Sequence, residues 1–332
     1  MEIRDVRGIY QQAQKNVMRY IADLRDGDNV DGTFLVRKIT PGTTKTGKSY
    51  ETLLLQDKTG SVDAKIWDPN SMGISEFDVL DYVNIKGEVT SFNNALQVNV
   101  KRLMVAPEGT YDPVDYLPCS KRDVEEMYRE LLALMDTIKT PHFRKLLHMF
   151  FVEDKDFIKK FKFSSAAKSV HHGFVGGLLE HTLSVAENCE YFAEHYGFLD
   201  RDLLITAAIC HDIGKVEELS PYPENDYTDD GQLIGHIIIG AQMIKDAVRQ
   251  IPEFPEIKAR ELEHCILAHH GELEFGSPKK PALAEAIALS FADNLDAKLE
   301  TMKEALETAN GTDWQGFNKF LDSNIRKTSD VR

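Results

Sequence analysis

Cysteine is scarce in this chain: Cys119, Cys189, Cys210 and Cys265 are all it has, far apart and with no CxxC pair. That excludes a zinc ribbon and a disulfide framework, and leaves four thiols for packing or the surface. Long hydrophobic runs are missing too. Nothing approaches the roughly 18 to 20 uncharged apolar residues of a membrane span, and the opening MEIRDVRGIY lacks a signal-peptide pattern, so the expected address is the cytoplasm with no membrane contact. Excess positive charge is absent. A formal net charge of -15 argues against coating nucleic acid by bulk electrostatics. Internal repeats and low-complexity tracts are also lacking.

What the chain does have is apolar material for two folded units: 42% of its 332 residues are hydrophobic. Its charge is unevenly spread. Residues 139–170 hold 8 basic and 3 acidic side chains, so an acidic average hides a basic stretch. The segment KDFIKKFKF within it reads either as a solvated helix face or as a guide for a strand through Lys159, Lys160 and Lys162.

Organisation follows from periodicity. Residues 1–28 form a leading helical segment, with Ile9, Val17, Tyr20, Ile21 and Leu24 at helical spacing. From 29 to 106 the pattern turns to five short strand-like runs separated by turn chemistry such as PGTTKTGK and KTG. Five strands of this kind suit a small closed barrel of the OB type. Lys48, Tyr50, Lys65 and Trp67 fall on its second and third strands, where rings stack on bases and lysines meet phosphates; barrel packing is the alternative for the two rings. APEGTYDPVDYLP, residues 106–118, carries three prolines and a glycine and marks a linker over 107–118. Beyond it, residues 119–325 are read as all-helical, with periodic stretches at 120–138, 141–151, 153–162, 177–196, 201–215, 233–250, 256–269, 281–310 and 313–324. Residues 326–332 are read as a frayed tail.

The helical half carries the chemistry. His181 interrupts GGLLEHTLSV, His211 and Asp212 interrupt AAICHDIGKV, His236 lies in GQLIGHIIIG, His269 and His270 end CILAHHGELEFG, and Asp293 lies in AIALSFADNL. Any one of these could be a hydrogen-bonded core residue. Together they are imidazoles and carboxylates set in runs that belong in a core, and desolvating such a set without a partner is costly. A shared site for divalent ions compensates it.

The series His181, His211-Asp212, His236, His269-His270, Asp293 resembles the HD superfamily of metal-dependent phosphohydrolases. With the preceding barrel, and through SYETLLLQDKTGSVDAKIWD, HHGFVGGLLEHTLSV, ICHDIGKVEEL and YTDDGQLIGHI, the chain resembles the YhaM-type 3'-5' exoribonucleases over nearly its whole length. The resemblance implies that His181, His211, Asp212 and Asp293 hold one metal. His236, His269 and His270 would hold a second, with Asp212 bridging; a single ion is left open, as is the choice among Mn, Co, Fe, Ni and Zn. It implies a metal-activated hydroxide attacking in line, and the release of nucleoside 5'-monophosphates from the 3' end of single-stranded RNA, with DNA left open as a second substrate. Lys215, four residues after His211, is placed on the phosphoryl oxygens, its alternative being an exposed lysine. His171 and His172 are candidate contacts to the substrate phosphate or leaving oxygen, and Tyr227 a candidate stacking residue. Homo-oligomerisation is left open. Two other functions fit less of the pattern: a phosphohydrolase of nucleotides or cyclic dinucleotides with a regulatory barrel, and a non-enzymatic nucleic-acid-binding factor.

Overall fold

The computed structural model describes residues 20–92, 95–168, 172–307 and 313–329. The chain divides into two compact units, Met1–Pro118 and Cys119–Arg332.

The first unit is a closed barrel built from β1 (Asn29–Thr43), β2 (Ser49–Asp57), β3 (Gly60–Ile66), β4 (Tyr82–Phe92) and β5 (Ala95–Val105), in the order β1-β2-β3-β5-β4. Its strands alternate as a half-buried sheet must. Leu53 and Leu55 of β2, Val62, Ala64 and Ile66 of β3 and Val98 of β5 point into the core, while Tyr50, Thr52, Lys65 and Asn99 take the intervening positions. Closure comes from β1, long enough to pair with β2 through one half and with β4 through the other. β3 meets β5 in parallel, which joins the two ends of the meander. The leading helix expected over 1–28 lies largely outside the described residues; a single 3-10 turn at Ile21–Asp23 is seen, and the Ile21 N–H donates to Asp57 at 2.5 Å. Residues of the stretch expected to be a linker pack on the barrel. Tyr111 stacks on Tyr82 with ring centroids 4.1 Å apart, Tyr116 meets Tyr82 edge-on, and Lys58 holds Asp115 at 2.6 Å.

The second unit is helical: α1 (Val124–Asp136), α2 (Pro141–His148), α3 (Lys155–Phe163), α4 (Gly177–His195), α5 (Arg201–Cys210), α6 (Lys215–Glu218), α7 (Asp229–Leu233), α8 (His236–Val248), α9 (Glu256–Ala268) and α10 (Ala284–Glu307). At its centre is α5, whose residues from Leu203 to Cys210 are all buried. The helix expected over 201–215 stops at Cys210, and His211–Gly214 run as turns into α6. Gly214 lets this turn pack closely. A Cβ there would lie 2.1 Å from the His236 carbonyl oxygen, so the turn presses on the first turn of α8 in a way only glycine allows.

The helix expected over 313–324 is a two-stranded hairpin, β6 (Trp314–Asn318) with β7 (Ser323–Arg326). Trp314, Phe317 and Phe320 mimic a helical period. Gly316 at φ +88° and Asp322 at φ +48° break it, and the Asn318 side chain accepts the Phe320 and Leu321 N–H groups to make the turn. The tail expected from 326 begins as the last residue of β7, and residues 330–332 lie outside the described part. No helix among the described residues is long and apolar enough to cross a membrane.

Candidate functional site

Five imidazoles in the helical unit are tethered in one way. His181 Nδ1 bonds Asp296 at 2.7 Å, His211 Nδ1 the Ala208 carbonyl at 2.7 Å, and His236 Nδ1 Glu218 at 2.8 Å. His269 Nδ1 bonds the Ile266 carbonyl at 2.7 Å and His270 Nδ1 the Phe275 carbonyl at 2.8 Å. Carbonyl oxygens and carboxylates accept, so each Nδ1 carries a proton and each Nε2 is the nitrogen turned inward. That is the tautomer a metal ligand requires, fixed from behind.

Those Nε2 atoms gather around Asp212. Its Oδ2 lies 3.4 Å from His181 Nε2 and 3.3 Å from His211 Nε2; its Oδ1 lies 3.5 Å from His236 Nε2 and 3.6 Å from His269 Nε2. Asp293 joins the first side, 3.2 Å from His181. Candidate ligand atoms fall within 4.8 Å of one another in the sets His181, His211, Asp293 and His236, His269, His270. Asp212 Oδ1, His236 Nε2 and His269 Nε2 are buried with no hydrogen-bond partner, which is rare in a folded protein unless something else satisfies them. His181 Nε2 and His211 Nε2 approach to 3.2 Å, close enough to share one ion. On these grounds the residues fit divalent ions, with imidazole and carboxylate as the donor set.

Charge follows the same plan. Burial alone would raise Asp293 and Asp296, yet the His181 hydrogen bond to each, joined at Asp296 by His172, keeps both carboxyls far below the usual range. Burial, followed by the neighbouring imidazoles of His270 and His211, pushes His269 well down, so that its ring is neutral. Burial would also lower Lys215, but Asp212 Oδ2 at 2.6 Å outweighs it and keeps the ammonium charged.

Two residues of this centre escaped the sequence reading. Glu218 takes both the ring and the backbone N–H of His236 on one oxygen, at 2.8 and 2.9 Å. Asp296 takes His181, His172 and the Ser184 hydroxyl. The available signal was weak: Asp296 follows Asp293 by three residues, and Ser184 follows His181 by three, one helical turn in each case. His172 is buried in the left-handed region at φ +59°, bonded to Asp296 through Nε2 at 2.9 Å, with its Nδ1 unpartnered. Its backbone is pinned by Gly177, where a Cβ would stand 2.0 Å from the His172 carbonyl oxygen. His171 lies outside the described residues. Tyr227 is not part of the cluster; it is half-exposed with Lys168 Nζ 5.8 Å over its ring.

The barrel presents a separate set. Tyr50 and Trp67 lie with ring centroids 5.4 Å apart, and Lys65 Nζ stands 4.9 Å over Tyr50. Gly42 makes the room: a Cβ there would meet the Tyr50 ring at 2.5 Å. Trp67 is 52% exposed while its indole N–H donates to Asn99 Oδ1 at 3.0 Å, so a polar tether fixes a ring that faces solvent. Lys48 is exposed in the β1–β2 turn, two residues from Tyr50.

Fold and cluster together define an HD-domain protein, and the HD domain family model matches residues 178–298. The chain is 34% identical over 282 residues to the 3'-5' exoribonuclease YhaM of Geobacillus sp., covering 85% of this chain and 86% of that protein. It is equally 34% identical over 285 residues to the YhaM of Bacillus velezensis, covering 88% of it. The chain belongs to the YhaM family of 3'-5' exoribonucleases. Among solved structures, the second OB-fold domain of replication protein A from Methanococcus maripaludis aligns with 28% of this chain and 98% of its own, at 21% identity and a TM-score of 0.22.

Proposed function

We propose that this chain is a divalent-metal-dependent 3'-5' exonuclease that shortens single-stranded RNA, with DNA as a second substrate, releasing nucleoside 5'-monophosphates in the cytoplasm. The observation that carries the reading is the inward convergence of five Nδ1-tethered imidazoles on the two oxygens of one buried aspartate. Bound there, one or two divalent ions would supply Lewis acidity and an acidified water at neutral pH. His181, His211, Asp212 and Asp293 make the first ligand set, and His236, His269 and His270 the second.

The remaining roles belong to the chain's own groups. Asp212, with an oxygen turned to each set, fixes the separation of the two sides. Lys215 keeps its charge and offsets negative charge as it grows on the phosphoryl oxygens. His172, held by Asp296 with Nδ1 free, is the contact to the phosphate or leaving oxygen. On the barrel, Tyr50 and Trp67 stack on bases while Lys48 and Lys65 meet phosphates, a mode that does not need a basic protein.

Single strands labelled at the 3' or the 5' end, incubated with Mn²⁺ beside an Asp212→Ala variant, test this. Loss of the 3' label as mononucleotide, with 5'-labelled ladders that shorten progressively and no activity in the variant, is the expected result. Shortening from the 5' end, or an active variant, would overturn it. Turnover of mononucleotides without strand binding would instead favour a small-ester phosphohydrolase.

A further inference from the structure

The outer face of α10 is apolar where it should be polar. Its exposed positions between 287 and 299 are Ile287, Phe291, Asn294, Leu295, Lys298 and Leu299, with one charge in a chain that is 28% charged. The opposite face carries Asp293 and Asp296. At the N-terminal end of this stripe the surface continues onto the loop between α4 and α5, where Phe198 projects at 75% exposure beside a groove of about 420 Å³ lined by Phe192, Tyr196, Leu199 and Phe291. Tyr191 extends the same surface through His195, on which it stacks.

The β6–β7 hairpin follows α10 in the chain, beginning seven residues after Glu307. Trp314, Phe317 and Phe320 are each at least 63% exposed, and the hairpin's extensive packing among the described residues is between its own two strands. A lone two-stranded hairpin is marginal in water. Three exposed rings on one call for a surface to cover them.

We propose that the chain pairs with a second copy of itself through the outer face of α10, each copy's C-terminal hairpin lying on the other's Phe198 groove. Three observations select a second copy as the occupant. The stripe repeats every four residues from 287 to 299, so two such helices laid antiparallel about its middle match apolar to apolar along their length. That arrangement carries the C-terminal end of one helix to the N-terminal end of the other, which brings hairpin and groove together twice, as a two-fold axis requires. The patch also contains both a projection and a hollow.

Area agrees. The exposed parts of the apolar side chains around α10 and Phe198 amount to on the order of 700 Å² per copy, and the hairpin rings add roughly 400 Å². A standard interface buries about 800 Å² per partner, and the largest patch on an ordinary monomer is about 300–600 Å². The surface is of interface size, with the charge depletion of an interface core.

The test is the mass of the full-length chain in solution at micromolar concentration, by sedimentation equilibrium, for the wild type and for Leu299→Glu and Phe317→Glu. Twice the 37.6 kDa chain mass, or a closed multiple of it, is expected for the wild type. Each substitution should weaken association by about 30-fold or more, as for a buried hot-spot residue, with circular dichroism unchanged. Leu299→Ser serves where Leu299→Glu fails to fold. A monomeric wild type would show that the face is covered from within the chain or by another protein, and would overturn the proposal. So would an assembly indifferent to both substitutions.

Discussion

Asp212 is a carboxylate that no single neighbour satisfies. Lys215 engages Oδ2, while Oδ1 has no hydrogen-bond partner although it is buried. The adjacent His-Asp pair was legible in the sequence as a costly interruption of a core run, and so were the other histidines. Glu218 and Asp296 were not, because each is one of 54 acidic residues and neither interrupts a run that is otherwise apolar. Their importance rests on what they accept, which only three-dimensional proximity reveals. Replacing Glu218 with Gln leaves the size of the side chain but weakens the acceptor facing His236, and Asp296→Asn does the same behind His181. Such partners typically matter 10- to 100-fold in metal affinity. Calorimetric titration with Mn²⁺ should therefore show a loss in that range for each variant; unchanged affinity in both would mean that the tethers do not tune the ligands.

At the scale of elements, much of the site is assembled at helix ends, with His181 inside α4 and Asp293 inside α10. His211 and Asp212 follow the last turn of α5, His236 opens α8, and His269 and His270 follow α9. Periodicity found the helices but extended the α5 segment to 215, since a turn made of His211–Gly214 has no signature in apolar spacing. The hairpin at 314–326 was misread for the converse reason: its aromatic spacing imitates a helix, and the deciding signals were one glycine and one asparagine turn. Gly214 is where the turn before α6 presses on α8, and any side chain there must displace backbone rather than a flexible tip. Gly214→Ala should destabilise the helical unit by at least about 1–3 kcal/mol, the usual cost of overpacking, as read from urea unfolding. A variant as stable as the wild type would show that α8 shifts freely away from the turn.

For the whole molecule, the division into a barrel and a helical unit was visible as a change of period, from 2 to 3.6, across residues 106–118. Barrel closure was not. It depends on β3 pairing with β5 and β4 with β1, pairings that apolar alternation cannot rank. Two units with separate surfaces imply separable functions. Trp67→Ala should cost about 1–3 kcal/mol of strand binding by the measure of base stacking. Fluorescence anisotropy with a labelled oligonucleotide would read this, while hydrolysis of a small phosphodiester by the same variant should be unchanged. Equal losses in both assays would contradict the separation.

The five Nδ1 tethers also differ in how they can be altered. Those of His211, His269 and His270 end on the carbonyls of Ala208, Ile266 and Phe275, groups that every residue possesses. Mutation cannot delete them, so these rings hold their aim as long as the backbone around them holds. The tethers of His181 and His236 end on side chains and can be exchanged one codon at a time. Each proposed ligand set thus combines backbone-tethered imidazole with one side-chain-tethered ring, and selection for a different ion or a different rate would have one handle on each side of Asp212.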